Sequence, residues 1–258
     1  MRHFYIHSSA TPGSVVAIEN SEAHHIKNVL RLKTGAAIKL FDGTGYEYEA
    51  VIKDLSGAEV KVEIRSRVQA ATGSKVQIVV AQAFLKDKKM DELLRRLTEL
   101  GVSGFIPFFC RRAIAKPDAS RLAGRRRRWH RIAAEALKQC RRIDLPEIGA
   151  AHSFEEVLEV GKTCDLSIVF WEKESISLLN TIETDKHHPL KRILLMMGPE
   201  GGFARREVEM ATDSGFFVAG LGPRILRAET ATLAACAIVQ YLFGDMGPKK
   251  FVDKNSGV

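Results

Sequence analysis

The residues best suited to hold a small ligand lie in two glycine-bearing loops late in the chain. In ILLMMGPEGGFARREVEMA an apolar run passes into a helical pattern through Gly198, Pro199, Glu200, Gly201 and Gly202. Glycines at such a junction let backbone groups approach a ligand closely, as ligand loops at the carboxyl ends of parallel strands do. The three glycines sit at offsets 0, 3 and 4, so neither GxGxxG nor GxxxxGK[ST] is present. A tight turn that holds no ligand is the alternative reading. The second loop, GLGPRILRAETATLAACAIVQY, sets Gly220, Gly222 and Pro223 ahead of Glu229, Thr230 and Thr232, which open an Ala-rich helix. Two such loops at neighbouring strand ends would hold an adenosine-sized ligand between backbone groups.

A second chemical signal is charge. Between Arg111 and Arg142 stand 12 basic residues against two acidic ones, Asp118 and Glu135, so this segment alone carries +10 in a chain of formal net charge +8. A concentrated patch on a nearly neutral remainder is the footprint of a phosphate-rich partner, because each Lys or Arg set against a phosphate releases condensed counterions. A solvated basic face is the alternative. Cys110, Cys140, Cys164 and Cys236 form no CxxC pair, which argues against a zinc knuckle, a redox motif or a disulfide framework. No clustered His/Cys/Asp set stands out either, and no metal is expected.

The elements that must position these residues change period along the chain. Up to about residue 68, short β-type runs (Val15 to Ile18, Ala37 to Phe41, Tyr46 to Ile52, Glu59 to Ile64) alternate with turns at Asp42-Gly43, Gly45 and Ser56-Gly57. That spacing predicts a small β-barrel. Within it, SEAHHIKNVLRL has helical spacing through Ala23, Ile26, Val29 and Leu30, with Ser21 as candidate N-cap. The small polar stretch Gln69 to Ser74 reads as a linker, giving expected domains 1–70 and 71–258.

Beyond it strands alternate with helices. The apolar strand Val76 to Phe84 precedes a helix with Met90, Leu93, Leu94, Leu97 and Leu100 on one face, stopped by Gly101. Phe105 to Phe108 is a second strand. A helix from about Arg121 to Cys140 buries Trp129, Ile132, Ala133, Ala136, Leu137 and Cys140, which sends most of Arg125 to Arg128, Arg131 and Lys138 to its other faces as a basic ridge. Ser153 and Glu156 make a capping box. Strands follow at Leu166 to Phe170, Ile193 to Met197 and Phe216 to Ala219, and a last helix runs from about Glu229 to Phe243. This is the pattern of an α/β domain with a parallel sheet.

With 258 residues, 45% hydrophobic and 27% charged, the composition is that of a soluble globular protein. No stretch approaches the roughly 20 apolar residues of a membrane span. The first residues, MRHFYIHSSATPG, lack an apolar signal-peptide core, so a cytoplasmic protein is expected.

The order GPEGGF, LG, RILR and ETA between Leu195 and Gln240 resembles the 16S ribosomal RNA uridine-N3 methyltransferases, a family of the SPOUT superfamily. HHIKNVLRLKTG followed by FDGTGYEYEA is similar to that family's PUA-like N-terminal barrel. LRRLTELGVSGFIPFFCRRAI and RRWHRIAAEALKQCRRIDLPEI are similar to its central segments. The resemblance implies a deep trefoil knot, S-adenosylmethionine bound among the knotted loops, 16S ribosomal RNA of the small subunit as substrate, and a homodimer that shares the site. It assigns the cofactor to Met197, Gly198 to Gly202, Leu221, Gly222, Ile225, Leu226 and Arg227, with Glu172 and Thr230 as neighbours. RNA contacts fall on His25, Arg31, Arg112, Arg125, Arg126, Arg128 and Arg142.

Uridine N3 carries a weakly acidic proton that must leave before or during attack on the methyl group. A cation near O2 or O4 would stabilise the anion. Arg142 is the first candidate, with a phosphate contact as its alternative role. Arg227 is the second, against a structural role. Glu200 could accept or relay the proton, or bond neighbouring amides instead. A ribose 2′-O methyltransferase of the same superfamily and a noncatalytic RNA-binding assembly factor are the competing functions.

Overall fold

The computed structural model describes residues 3–6, 8–69, 76–86, 88–114, 117–140, 142–174 and 190–247. Residues 70–74 of the expected linker lie outside these. Two compact units form: Met1–Thr72 with Ala133–Leu145, and Gly73–Ile132 with Pro146–Val258. The division differs from a single cut near residue 70, because the last turns of the long helix and the segment after it group with the N-terminal strands.

The first unit is a curled half-barrel of five strands. They are β1 (His3–Tyr5), β2 (Val15–Ile18), β3 (Ala37–Phe41), β4 (Tyr46–Asp54) and β5 (Val60–Gln69), in the spatial order β1-β3-β4-β5-β2. Period-two alternation buries Tyr48, Ala50 and Ile52 of β4 with Val60, Val62 and Ile64 of β5, alongside Ile26, Ile38 and Leu40. β1 is too short to show periodicity in sequence and joins parallel to β3.

Helix α1 (Asn20–His24) corrects the expected Ser21 cap: Glu19 is the N-cap residue, Asn20 takes a left-handed φ of 53°, and no side chain caps the helix. It then widens into a π-helical turn, His25–Val29. The wider turn carries Val29 off the apolar stripe, leaving it 61% exposed while Ile26 stays buried.

The turn Asp42 to Gly45 anchors the segment after the long helix. Buried Asp42 accepts hydrogen bonds from Tyr48 Oη at 2.6 Å and from the Thr44 hydroxyl and amide at 2.7 and 2.9 Å. Leu145 N donates to Gly43 O at 2.9 Å, and Gly45 N to Ile143 O at 3.2 Å. Gly43 is required twice over: its φ is 80°, and a Cβ there would lie 2.6 Å from Leu145 Cδ1.

The second unit is built on an all-parallel six-stranded sheet. Its strands are β6 (Gln77–Ala83), β7 (Gly104–Phe108), β8 (Glu147–Ile148), β9 (Leu166–Phe170), β10 (Arg192–Met197) and β11 (Phe217–Ala219), ordered β11-β9-β10-β6-β7-β8. The apolar runs of β6, β9 and β10 mark them as buried on both faces. The two-residue β8 has no signal of its own in the sequence.

Among the described residues the helices of this unit are α2 (Lys89–Glu99), the first part of α3 (Ala119–Cys140), α4 (Phe154–Gly161), α5 (Arg205–Asp213) and α6 (Ala228–Phe243). The expected stripe of α2 is buried apart from half-buried Leu100 at its C-cap, and Gly101 follows at φ 83°. The Ser153–Glu156 capping box on α4 forms in both directions. Trp129 is 1% exposed and packs by its ring near Phe84 and Phe105, while its indole N–H donates to Asp91 at 2.9 Å. Among the described residues, no helix is long and apolar enough to cross a membrane.

Candidate ligand cavity and basic face

The two glycine-bearing strands, β10 and β11, are not neighbours as expected: β9 lies between them, and the loops that leave the carboxyl ends of all three converge. They enclose a cavity of about 520 Å³, a volume within the range of cofactor sites. Phe170, Trp171 and Glu172 line it from the end of β9, and Met197, Gly198, Pro199, Glu200 and Gly202 from the end of β10. Leu221, Gly222, Ile225, Leu226 and Arg227 close it from the loop after β11. The two glycine loops thus form one site.

Two residues expected at the ligand stand elsewhere. Gly201 does not line the cavity; a Cβ built on it would meet Arg112 Cβ at 3.4 Å. Thr230 is exposed on the first turn of α6 and is also absent from the lining. Gly202 is the glycine under constraint: its φ is 63°, and the Glu172 carboxylate sits where a Cβ would be, with Oε1 at 2.7 Å from that point.

Three contacts hold the Gly198–Phe203 loop. At its start, buried Gln82 donates through Nε2 to Gly198 O at 3.0 Å. In the middle, Glu200 accepts from Lys86 N at 3.1 Å and pairs with Lys89 at 3.2 Å. At its end, Arg112 Nη1 donates to Gly201 O at 3.2 Å and to Phe203 O at 3.3 Å.

Lys89 also reaches Glu229 at 3.4 Å, so one ammonium ties the first loop to the start of α6. Its pKa is raised, chiefly by the hydrogen bond to Glu200. For Glu200, burial works upward but is outweighed by backbone amides and Lys89, which hold the carboxyl below its ordinary value. An ionised, amide-bonded Glu200 is a weak base and a good brace. Neither Gln82 nor Lys89 was expected at the site. Gln82 sits as a polar residue within the apolar run VQIVVAQAF, a signal that could have been read.

The basic segment divides by partner. Arg126 donates to Ile148 O at 3.0 Å, and Arg128 pairs with Asp91 at 2.7 Å. Arg125 is half-buried, whereas Arg127 and Arg131 are exposed and have no hydrogen-bond or ion-pair partner among the described residues. Lys138, expected on the ridge, is instead half-buried between Glu22 and Glu135 in the first unit. Burial works against its charge, but the two carboxylates outweigh it and its pKa is raised. The ridge therefore stops short of Lys138. Arg142 also belongs to the first unit, where it pairs with Asp144 at 2.9 Å and its side chain is 15% exposed. His25 and Arg31 are exposed on that unit, Arg31 at a left-handed φ of 49°. No disulfide joins the four cysteines, and no group of metal-ligating side chains occurs among the described residues.

Residues 72–240 match the model of the RNA methyltransferase domain, and residues 18–65 match that of the RNA methyltransferase PUA domain. The chain is 32% identical over 229 residues to ribosomal RNA small subunit methyltransferase E of Bacillus subtilis, covering 87% of this chain and 89% of that protein. Among solved structures, methyltransferase E of Neisseria gonorrhoeae bound to S-adenosyl methionine is 31% identical, with a TM-score of 0.81 over 95% of this chain and 99% of that one. A Legionella pneumophila methyltransferase with bound cofactor SAM is 28% identical, with a TM-score of 0.83 over 95% and 98%. By the extent of both matches, this chain belongs to the RNA methyltransferase family, of the small-subunit methyltransferase E type.

Proposed function

We propose that this protein methylates N3 of a uridine in 16S ribosomal RNA of the small subunit, using S-adenosylmethionine bound between the two glycine loops. The observation that carries the reading is the single cavity into which the GPEGG and RILRAE segments converge. The residues fit the cofactor: Phe170, Leu221, Ile225 and Leu226 offer apolar walls for a purine, and Gly198, Gly202 and Gly222 leave backbone accessible. Glu172 adds a carboxylate beside Gly202. Relatives solved with this cofactor add support.

When bound, S-adenosylmethionine supplies a methyl group on a sulfonium sulfur. The chain's work is positioning and electrostatics. Gln82, Lys89 and Arg112 hold the loop in shape. In this reading Arg227, exposed on the cavity wall at the N-cap of α6, stabilises negative charge on the uracil as the N3 proton passes to solvent water. Arg142, held by Asp144 in the other unit, meets an RNA phosphate. Glu200, kept ionised, braces the loop.

The same reading includes a trefoil knot in the catalytic domain, a cytoplasmic site of action and a homodimer. Exposed apolar side chains on α6 support the dimer: Ile238 is 39% exposed and Tyr241 58%. Nuclease digestion of ribosomal RNA from cells with and without the protein, followed by mass spectrometry, tests the reaction. A methyl on the uracil fragment is expected, and a methyl on the ribose overturns the assignment.

A further inference from the structure

Arg112 differs from Gln82 and Lys89, the other side chains that hold the cofactor loop, because a whole two-donor edge of its guanidinium is unused. The segment carrying it is itself anchored. Cys110 and Ala113 are buried in the same core as Phe203, and Phe109 N donates to His152 O at 2.9 Å. Arg111 N donates to Glu207 Oε1 at 2.7 Å, and the other oxygen of buried Glu207 accepts from Ala204 N at 2.8 Å. Arg112 is therefore presented from a fixed base to two carbonyls, those of Gly201 and Phe203.

Only Nη1 makes these bonds. Nε and Nη2, the edge that matches the oxygens of a phosphate in bidentate fashion, have no partner among the described residues, and the residue is exposed. The side chain stands in the segment where basic charge is concentrated.

We propose that Arg112 is a positioning residue through which an RNA phosphate tightens cofactor binding. A phosphodiester on the Nε/Nη2 edge fixes the guanidinium plane, and the fixed plane holds the Gly201 and Phe203 carbonyls in the shape the cavity needs. The inference rests on the cofactor reading above. By linkage, the cofactor must tighten RNA binding by the same factor.

The test is calorimetry of S-adenosylmethionine binding to the full chain, with and without a saturating fragment of small-subunit ribosomal RNA. In the wild type, RNA is expected to tighten cofactor binding by about fivefold or more. Arg112→Met should bind the cofactor about tenfold more weakly alone, as expected when charge-assisted hydrogen bonds are lost, and should show no tightening by RNA. Arg112→Lys keeps the charge without the fork and should recover only part of the affinity. A merely structural role would lower affinity and leave the RNA effect in place, which overturns the proposal. So does unchanged cofactor affinity in Arg112→Met, or a wild type whose cofactor affinity ignores RNA. A wild type that binds no S-adenosylmethionine refutes the cofactor reading instead.

Discussion

The hydroxyl of Thr232 lies 2.6 Å from Oε1 of Gln82, across 150 residues of sequence and with both side chains at most 1% exposed. Because this oxygen accepts from Thr232, the amide nitrogen of Gln82 faces the carbonyls of Gly198 and Ala83 at 3.0 and 3.1 Å. One buried pair thus connects α6, β6 and the first glycine of the ligand loop. Thr232→Val keeps the shape but leaves the Gln82 oxygen unpaired in the core. A loss of roughly 1–3 kcal/mol is expected in urea unfolding, with weaker cofactor binding by calorimetry. Equal stability in the variant would refute the relay.

Gly201 and Gly202 should respond differently to the same substitution. Gly201→Ala meets Arg112 at an ordinary 3.4 Å and should leave cofactor affinity near that of the wild type. Gly202→Ala places a Cβ on a left-handed backbone and against Glu172, at a cost of about 1 kcal/mol or more, and should bind the cofactor several-fold more weakly. The reverse order would mean that Gly201, not Gly202, faces the ligand.

The salt dependence of RNA binding should follow the unpartnered arginines. Replacing Arg127 and Arg131 together by Gln is expected to flatten the log–log salt slope by roughly 1–2, about one per lost phosphate contact. Arg126→Gln with Arg128→Gln should change it less, since both are already engaged with Ile148 and Asp91. Filter binding from low to moderate salt distinguishes the pairs, and an equal slope for all variants would make α3 a solvated face.

The Lys89–Glu200 contact has a defined pH window. Glu200 is held below its ordinary value, so its contribution is present above the ordinary carboxylate range and is lost as pH falls through the lowered value. Lys89 is raised, so its contribution is present below the ordinary lysine value and is lost as pH rises through the raised one. The difference in Tm between wild type and Lys89→Met should therefore be constant from about pH 5 to pH 10 and shrink on either side. It should also be small, because the pair is partly exposed. A difference that changes between pH 6 and 9 would contradict the ion pair.

The half-barrel and the parallel sheet were legible in the sequence because each depends on local periodicity. Alternation along β4 and β5, the apolar runs of β6, β9 and β10, the stripe on α2 and the capping box on α4 are satisfied within a few residues. Both glycine loops were legible for the same reason. Each sits where one period gives way to another.

What the periods could not decide is which distant group each polar side chain meets. Lys138 lies on a basic helix in sequence, yet its charge is balanced by Glu22, which is brought to it only by the folding of the first unit. Gln82 acquires its acceptor and donor roles from Gly198 and Thr232, and Lys89 from Glu200 and Glu229, over separations that no local pattern spans. Gly201 and Gly202 are adjacent and identical in type, but one backs onto Arg112 and the other lines the cavity with Glu172 on it. Residue type and spacing determined which segments could bind a ligand. The order of the strands decided that the two segments share one cavity, because only β9 separates β10 from β11 and the carboxyl ends of all three open on the same end of the parallel sheet.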